Sequence, residues 1–308
     1  MDDVLGLIGL GAMGSGIARR LAGAGAPLYV HDINEAAVEN VRDIARGIAS
    51  SAKEVADYAS IVFISLPSLK AAEEVILGSS GLVRGTAVKI IVDLSTTGAR
   101  FAEKMFEETK KHSITYIASP ISGGVAGAAS GTLAVMSSGP EDAYQRVRPY
   151  IECFGKAVHY LGEKPGGAQT MKLINNMLST TGLVMACEAF VFGTKAGLDP
   201  DVMLAVINSG TGRNSATLNK LPKAILPRTF DYGAKTAITE KDNELTLDEA
   251  DALGVDLSIV RAAQKIWKSI IAQGAADEDN TSLIKYLERQ AGVVVEGKAA
   301  RARQNSTD

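Results

Sequence analysis

Val4-Leu5-Gly6-Leu7-Ile8-Gly9-Leu10-Gly11-Ala12-Met13-Gly14 decides the fold of the first half of the chain. A short apolar run ends in glycine, as a fully buried strand does. Gly9, Gly11 and Gly14 then make the pattern G-x-G-x-x-G, and Ile17, Ala18 and Leu21 continue it at helical spacing. A second strand, Leu28–His31, ends at Asp32, 23 residues after Gly9. The glycine pattern alone is weak. A strand before it, a helix after it and an acid about 20 residues on make it specific for a dinucleotide. Gly9 permits the tight turn, Gly11 lets a pyrophosphate approach the backbone, and Gly14 lets the helix pack on the strand. Leu10, Ala12 and Met13 complete the turn, and the helix N-terminus offers N–H groups and a positive dipole end to the phosphate. A carboxylate at Asp32 accepts hydrogen bonds from an unmodified ribose and repels a 2′-phosphate, so NAD is expected over NADP. The competing reading makes Asp32 a cap for a helix starting at Asn34.

The alternation continues. Ile61–Leu66, Val88–Leu94 and Ile114–Ala118 read as strands. Thr132–Ser137 and Ala157–Leu161 bracket a helical pattern over Glu141–Phe154. The series predicts a doubly wound Rossmann sheet over residues 1–162. In such sheets ligands bind beyond the carboxyl ends of the strands. Leu66, Pro67 and Thr96 lie there, where a nicotinamide ribose is expected, although plain turns would use the same residues. Ser119–Ala128 is rich in glycine and low in charge. As a loop at the ligand end, its Ser122 hydroxyl and the backbone of Gly123 and Gly124 would hold a small anion.

After Pro165 the pattern turns helical throughout, which predicts an all-α domain over residues 163–290. Its first helix carries Gly166-Gly-Ala-Gln-Thr-Met-Lys-Leu-Ile-Asn-Asn176 and runs to Gly197. Lys172 and Asn176 are four apart and share one face. A buried lysine of lowered pKa can donate a proton to a carbonyl; most lysines are simply solvated. The same helix is apolar around most of its circumference, which predicts cover by a second chain. Thr236–Leu253 carries Lys241 and Asp242. Arg213, in the polar loop Ser209–Ser215, is a candidate for gripping a second anionic group. The segment 291–308 lacks periodicity and is expected to fray.

Composition narrows the function. Across 308 residues the chain is 46% hydrophobic and 22% charged, with a net charge of −3. Two domains fit that length, and no basic surplus supports nucleic-acid binding. The cysteines, Cys153 and Cys187, have no Cys or His neighbour at ligand spacing. Neither a disulfide framework nor a metal site is expected, and a reducing, cytoplasmic setting is. No leader peptide is read at the N-terminus. Glu188, Thr180 and Thr181 interrupt the apolar run Met177–Phe192, which therefore reads as a core helix and not a membrane span.

Four segments together resemble the β-hydroxyacid dehydrogenase family, which includes 3-hydroxyisobutyrate dehydrogenase and tartronate semialdehyde reductase. They are Gly9–Gly14, Ser119-Pro-Ile-Ser-Gly-Gly124, Gly166–Asn176 and Lys241-Asp242, in the family's order. The resemblance implies a Rossmann domain, a helical domain with a dimer interface, and NAD-dependent hydride transfer on a small 3-hydroxy acid. It also implies a homodimer or homotetramer. Lys172 would be the catalytic acid/base and Asn176 would orient the substrate. Ser122, Gly123 and Gly124 would bind its carboxylate. Pro67, Thr96 and Lys241 would touch the cofactor, and Asp242 would help to set the site. The chain departs from the family at Ala118-Ser119-Pro120, Ala168 and Asn243-Glu244. Rival readings are a D-threonine-like β-hydroxy amino acid dehydrogenase, an imine reductase, against which Lys172 counts, and a non-catalytic nucleotide-binding protein.

Overall fold

The computed structural model describes residues 3–304. Its first sheet has six parallel strands in the order β3-β2-β1-β4-β5-β6. These are β1 Leu5–Ile8, β2 Leu28–His31, β3 Gly47–Ile48, β4 Ile61–Ile64, β5 Ile90–Asp93 and β6 Thr115–Ala118. That order reverses direction beside β1, where doubly wound sheets bind nucleotides. Strand residues alternate between two cores. Leu5, Leu7, Val30, Phe63 and Val92 meet α1 Gly14–Gly23, α2 Glu35–Glu39 and α7 Glu141–Ile151 on one face. Ile8, Val62, Ile64 and Ile91 meet α3 Ala52–Tyr58, α4 Leu69–Leu77 and α5 Ala99–Lys110 on the other. Burial on both faces explains why these strands read as unbroken apolar runs.

The expected single strand series splits into two sheets. A separate three-stranded sheet, β7-β8-β9, contains β7 Ile121–Ser122, β8 Leu133–Ser137 and β9 Gly155–Tyr160. β7 runs antiparallel to β8, and β8 runs parallel to β9. Ser119–Ala128, expected as a loop, contributes β7 and then α6, Gly124–Ser130. Gly123 and Gly124, with φ of 136° and 66°, turn the strand straight into the helix. Only glycine adopts that pair of angles at little cost.

α8 spans Gly166–Lys195, 30 residues. By length and composition it is apolar enough to cross a membrane, yet half of its most apolar window is buried in the protein. Gly197, with φ of 87°, ends the run. Asp199 then caps α9, Pro200–Ser209, accepting from the N–H groups of Asp201 and Val202. The chain divides into two compact units, the first through Leu173 and the second from Ile174. The boundary read from the sequence, 162/163, is where strands give way to helices; the contact boundary lies farther on, within α8.

The second unit packs the later turns of α8, α9, the π-helix Ala216–Ile225, α10 Thr236–Ala252, α11 Ser258–Ala272 and α12 Leu283–Ala291. Leu183, Cys187, Phe190, Leu221, Ile225, Trp267 and Leu283 form its core. The tail differs from expectation. Glu288 accepts from the Val295 N–H at 2.7 Å. α13, Lys298–Gln304, is tied through the Lys298 N–H to Asp201 at 2.7 Å, and Arg301 reaches Asp199 at 2.9 Å. Val295 is fully buried, but the rest of the segment is held largely by polar anchors, and no apolar periodicity announced it. Residues 305–308 of the expected tail lie outside the described residues.

Candidate active site

The glycine turn has the geometry its sequence predicts. Gly9 has φ of 90°, and a Cβ there would stand 2.2 Å from the Ser65 carbonyl oxygen. A Cβ on Gly14 would fall 1.8 Å from the Gly9 carbonyl oxygen, so only glycine lets α1 start against β1. A Cβ on Gly11 would meet nothing within 4 Å. Gly11 and Ala12 are exposed and Met13 is half-buried, while Gly9, Leu10 and Gly14 are buried. The turn is therefore closed underneath and open on top, as an approaching pyrophosphate requires.

Asp32 closes this turn from β2. One carboxylate oxygen accepts from the Leu10 N–H at 2.6 Å and the other from the Asn34 N–H at 2.8 Å. Asn34, not Asp32, caps α2 by accepting from the Ala36 N–H at 3.0 Å. Each carboxylate oxygen keeps lone-pair capacity for a further donor. These residues fit an adenine dinucleotide.

A hydrogen-bond chain that the sequence did not disclose fixes the loops after β4 and β5. Asp93, fully buried, accepts from the Tyr116 hydroxyl at 2.7 Å and from the Ser95 N–H at 2.8 Å. Burial and the neighbouring carboxylate hold the Tyr116 phenol well above its usual pKa. The Ser95 hydroxyl accepts from the Leu66 N–H at 2.9 Å. Gln169, in the first turn of α8, donates to the Ser95 carbonyl at 2.9 Å and accepts from the Thr97 N–H at 3.0 Å. Leu66 and Thr96 are thereby held partly open, with Pro67 exposed beside them. Ser138 donates to the Pro165 carbonyl at 2.7 Å and accepts from the Ala168 N–H at 2.9 Å, which anchors the start of α8. The signal for Gln169 and Asp93 was faint: a polar residue amid apolar neighbours.

Lys172 follows one turn after Gln169 and is buried. Ser122 is half-buried at the end of β7, with Gly123 and Gly124 exposed after it. In the second unit the Asn176 carboxamide donates to Asp242 at 2.7 Å. Asp242 is buried and ion-paired with Lys241 at 3.0 Å. One turn on, the Thr180 hydroxyl donates to the buried Asn243 at 2.7 Å. Asn243, where the sequence departs from the family it resembles, makes the second polar rung between α8 and α10. Arg213 is exposed. The described residues hold no cluster of metal-ligating side chains.

Comparison with known proteins gives the same assignment. Residues 4–162 match the NAD-binding domain of 6-phosphogluconate dehydrogenase, and residues 166–287 match the NAD-binding domain of NADP-dependent 3-hydroxyisobutyrate dehydrogenase. The first match alone spans more than half of the chain.

The chain belongs to the β-hydroxyacid dehydrogenase family.

Within this family, the 2-(hydroxymethyl)glutarate dehydrogenase of Eubacterium barkeri is 32% identical over 294 residues, covering 95% of this chain and 97% of that protein. The 2-hydroxy-3-oxopropionate reductase of Escherichia coli (strain K12) is 32% identical, with 93% and 98% covered. The solved 3-hydroxyisobutyrate dehydrogenase of Mycobacterium tuberculosis, bound to L-serine, superposes with a TM-score of 0.84 at 28% identity, covering 93% of this chain and 99% of that one. An imine reductase from Myxococcus stipitatus shares the fold, with a TM-score of 0.62 at 17% identity. These β-hydroxyacid dehydrogenase relatives are oxidoreductases of hydroxy acids, and this chain carries their dinucleotide-binding domain.

Proposed function

We propose that the protein is an NAD-dependent dehydrogenase of a small, 3-hydroxyisobutyrate-like 3-hydroxy acid, or reduces the matching semialdehyde. The observation that carries this reading is the α8 face: Lys172 is buried, and Asn176 one turn later is bonded to Asp242 at 2.7 Å. A binding module has no need of a buried lysine there. When bound, the nicotinamide supplies hydride exchange with the carbinol carbon.

The chain's own residues do the rest. Lys172, as a neutral amine, takes the hydroxyl proton on Nζ during oxidation and returns it in reduction. Ser122 and the backbone of Gly123 and Gly124 hold the substrate carboxylate. Asn176 steadies the hydroxyl through the carboxamide that Asp242 orients. Leu66, Pro67 and Thr96 line the nicotinamide ribose, Lys241 touches the cofactor, and Asp32 receives the adenine ribose. The preference for NAD rests on Asp32, with exposed Ile33 and no Arg directly after it.

The assembly reading is a homodimer or homotetramer. Ile174, Leu178, Met185 and Phe192 are exposed along α8, Phe192 by 76%. Their spacing makes one seam of the kind a second helix covers. The free thiols Cys153 and Cys187 suit a reducing, cytoplasmic setting. Turnover of a panel of 3-hydroxy acids with NAD and with NADP tests the activity. No turnover of any of them would overturn it.

A further inference from the structure

One buried cation of the second unit has no part in the reading above. Lys220 is 5% exposed and lies in the π-helix Ala216–Ile225. Its ammonium donates to the Ser179 hydroxyl at 2.9 Å, with the Ser179 carbonyl at 3.4 Å. The Tyr232 ring centroid is 5.9 Å away. Among the described residues, no ion pair includes Lys220. Asp279 acts on it only from a distance, and its carboxylate is bonded to the N–H groups of Gly233 and Thr281. Cys187 does not balance the charge either, because burial keeps its thiol protonated. Burial lowers the ammonium to about 8, which leaves it mostly charged at neutral pH. A buried cation without a counter-charge is costly. An anion arriving with a ligand would remove that cost.

The placement suits such a ligand. Ser179 follows Asn176 by three residues on α8, so both lie on one face, with Ser179 and the ammonium it binds about 4.5 Å farther along the axis at the Ser179 backbone. Asn176 and Ser179 are half-buried and Tyr232 is 40% exposed, so the groups around the ammonium reach solvent in part. The backbone around the cation is also unusual. π-helices concentrate at functional sites. Arg228 and Phe230, on the segment leading to Tyr232, have φ of 61° and 53°, a strain that proteins keep at ligand clamps.

We propose that Lys220, with Ser179 and Tyr232, forms an anion subsite for a second carboxylate of the substrate, about two to three carbon–carbon bonds beyond the group that faces Asn176. It rests on the hydroxy-acid reading and sharpens it to a dicarboxylic hydroxy acid. Arg213, the sequence's candidate for this task, is exposed and lacks the desolvation that would make it selective.

Titration of the full-length protein with glutarate and with butyrate tests the subsite without turnover. Glutarate is expected to bind at least ~10-fold more tightly. Lys220→Met should erase that ratio, Lys220→Arg should keep part of it, and Ser179→Ala should reduce it several-fold. The kcat/KM ratio of 3-hydroxyglutarate to 3-hydroxybutyrate should fall in the same order. Equal binding of the two probes by the wild-type protein overturns the subsite, as does an unchanged ratio in a Lys220→Met protein that melts like the wild type. Should Lys220→Met not fold, the ratio in Ser179→Ala decides. Absence of turnover with both hydroxy acids, with the glutarate preference intact, overturns the hydroxy-acid reading and leaves the anion subsite standing.

Discussion

The carboxamide of Asn176 donates to the carboxylate of Asp242 across 2.7 Å, joining α8 to α10. The bond is charge-assisted, and Asp242 is buried, so its loss frees the Asn176 side chain to rotate. Asp242→Ala should lower kcat/KM about 10- to 100-fold, the equivalent of ~1.5–3 kcal/mol. Steady-state kinetics beside a thermal melt checks this. A fully active variant would mean that Asn176 needs no such partner.

Lys172→Ala should cut kcat by ~10²–10⁴, the usual worth of one general acid/base, and leave NAD affinity nearly unchanged. Single-turnover rates and a cofactor titration separate the two effects. Near-normal turnover removes Lys172 from the mechanism.

Asp32 should make the enzyme prefer NAD over NADP by at least ~10-fold in kcat/KM, since NADP loses a charge-assisted bond and meets a like charge. Asp32→Ser with Ile33→Arg should narrow or reverse the ratio. Ile33 is 96% exposed, so an arginine there has room to reach a phosphate. Equal efficiency of the wild type with both cofactors would remove Asp32 from cofactor choice.

Gly14→Ala puts a methyl group 1.8 Å from the Gly9 carbonyl oxygen, a clash with backbone and not with a movable side chain. The expected cost is about 1–3 kcal/mol, together with a weakened cofactor site. Differential scanning calorimetry reads the first and an NAD titration the second. An unchanged melting temperature would show that α1 shifts freely.

Met185→Glu together with Phe192→Glu should convert an oligomer to a monomer, because two charges then sit in the exposed apolar seam of α8. Light scattering at micromolar concentration checks the wild type first. A monomeric wild type refutes the assembly.

Local pattern sufficed for much of this molecule. Gly9, Gly11, Gly14 and Asp32 announced the nucleotide turn because steric limits on a βα turn act within a few residues. Lys172 and Asn176 were legible as one face because helical periodicity is local. Ser119–Ala128 read as a loop, since a glycine pair at positive φ between a strand and a helix looks like any flexible stretch. Tertiary structure alone decided the remainder. Gln169 finds Ser95 and Thr97, Asn176 finds Asp242, and Glu288 pins Val295, each across dozens of residues or against a strand or tail with no periodic signal. No local pattern marks Lys220; its bond to Ser179 exists only because the π-helix packs on α8. Hydrophobic period records which face is buried, but the partner of a buried polar group is set by packing between distant elements.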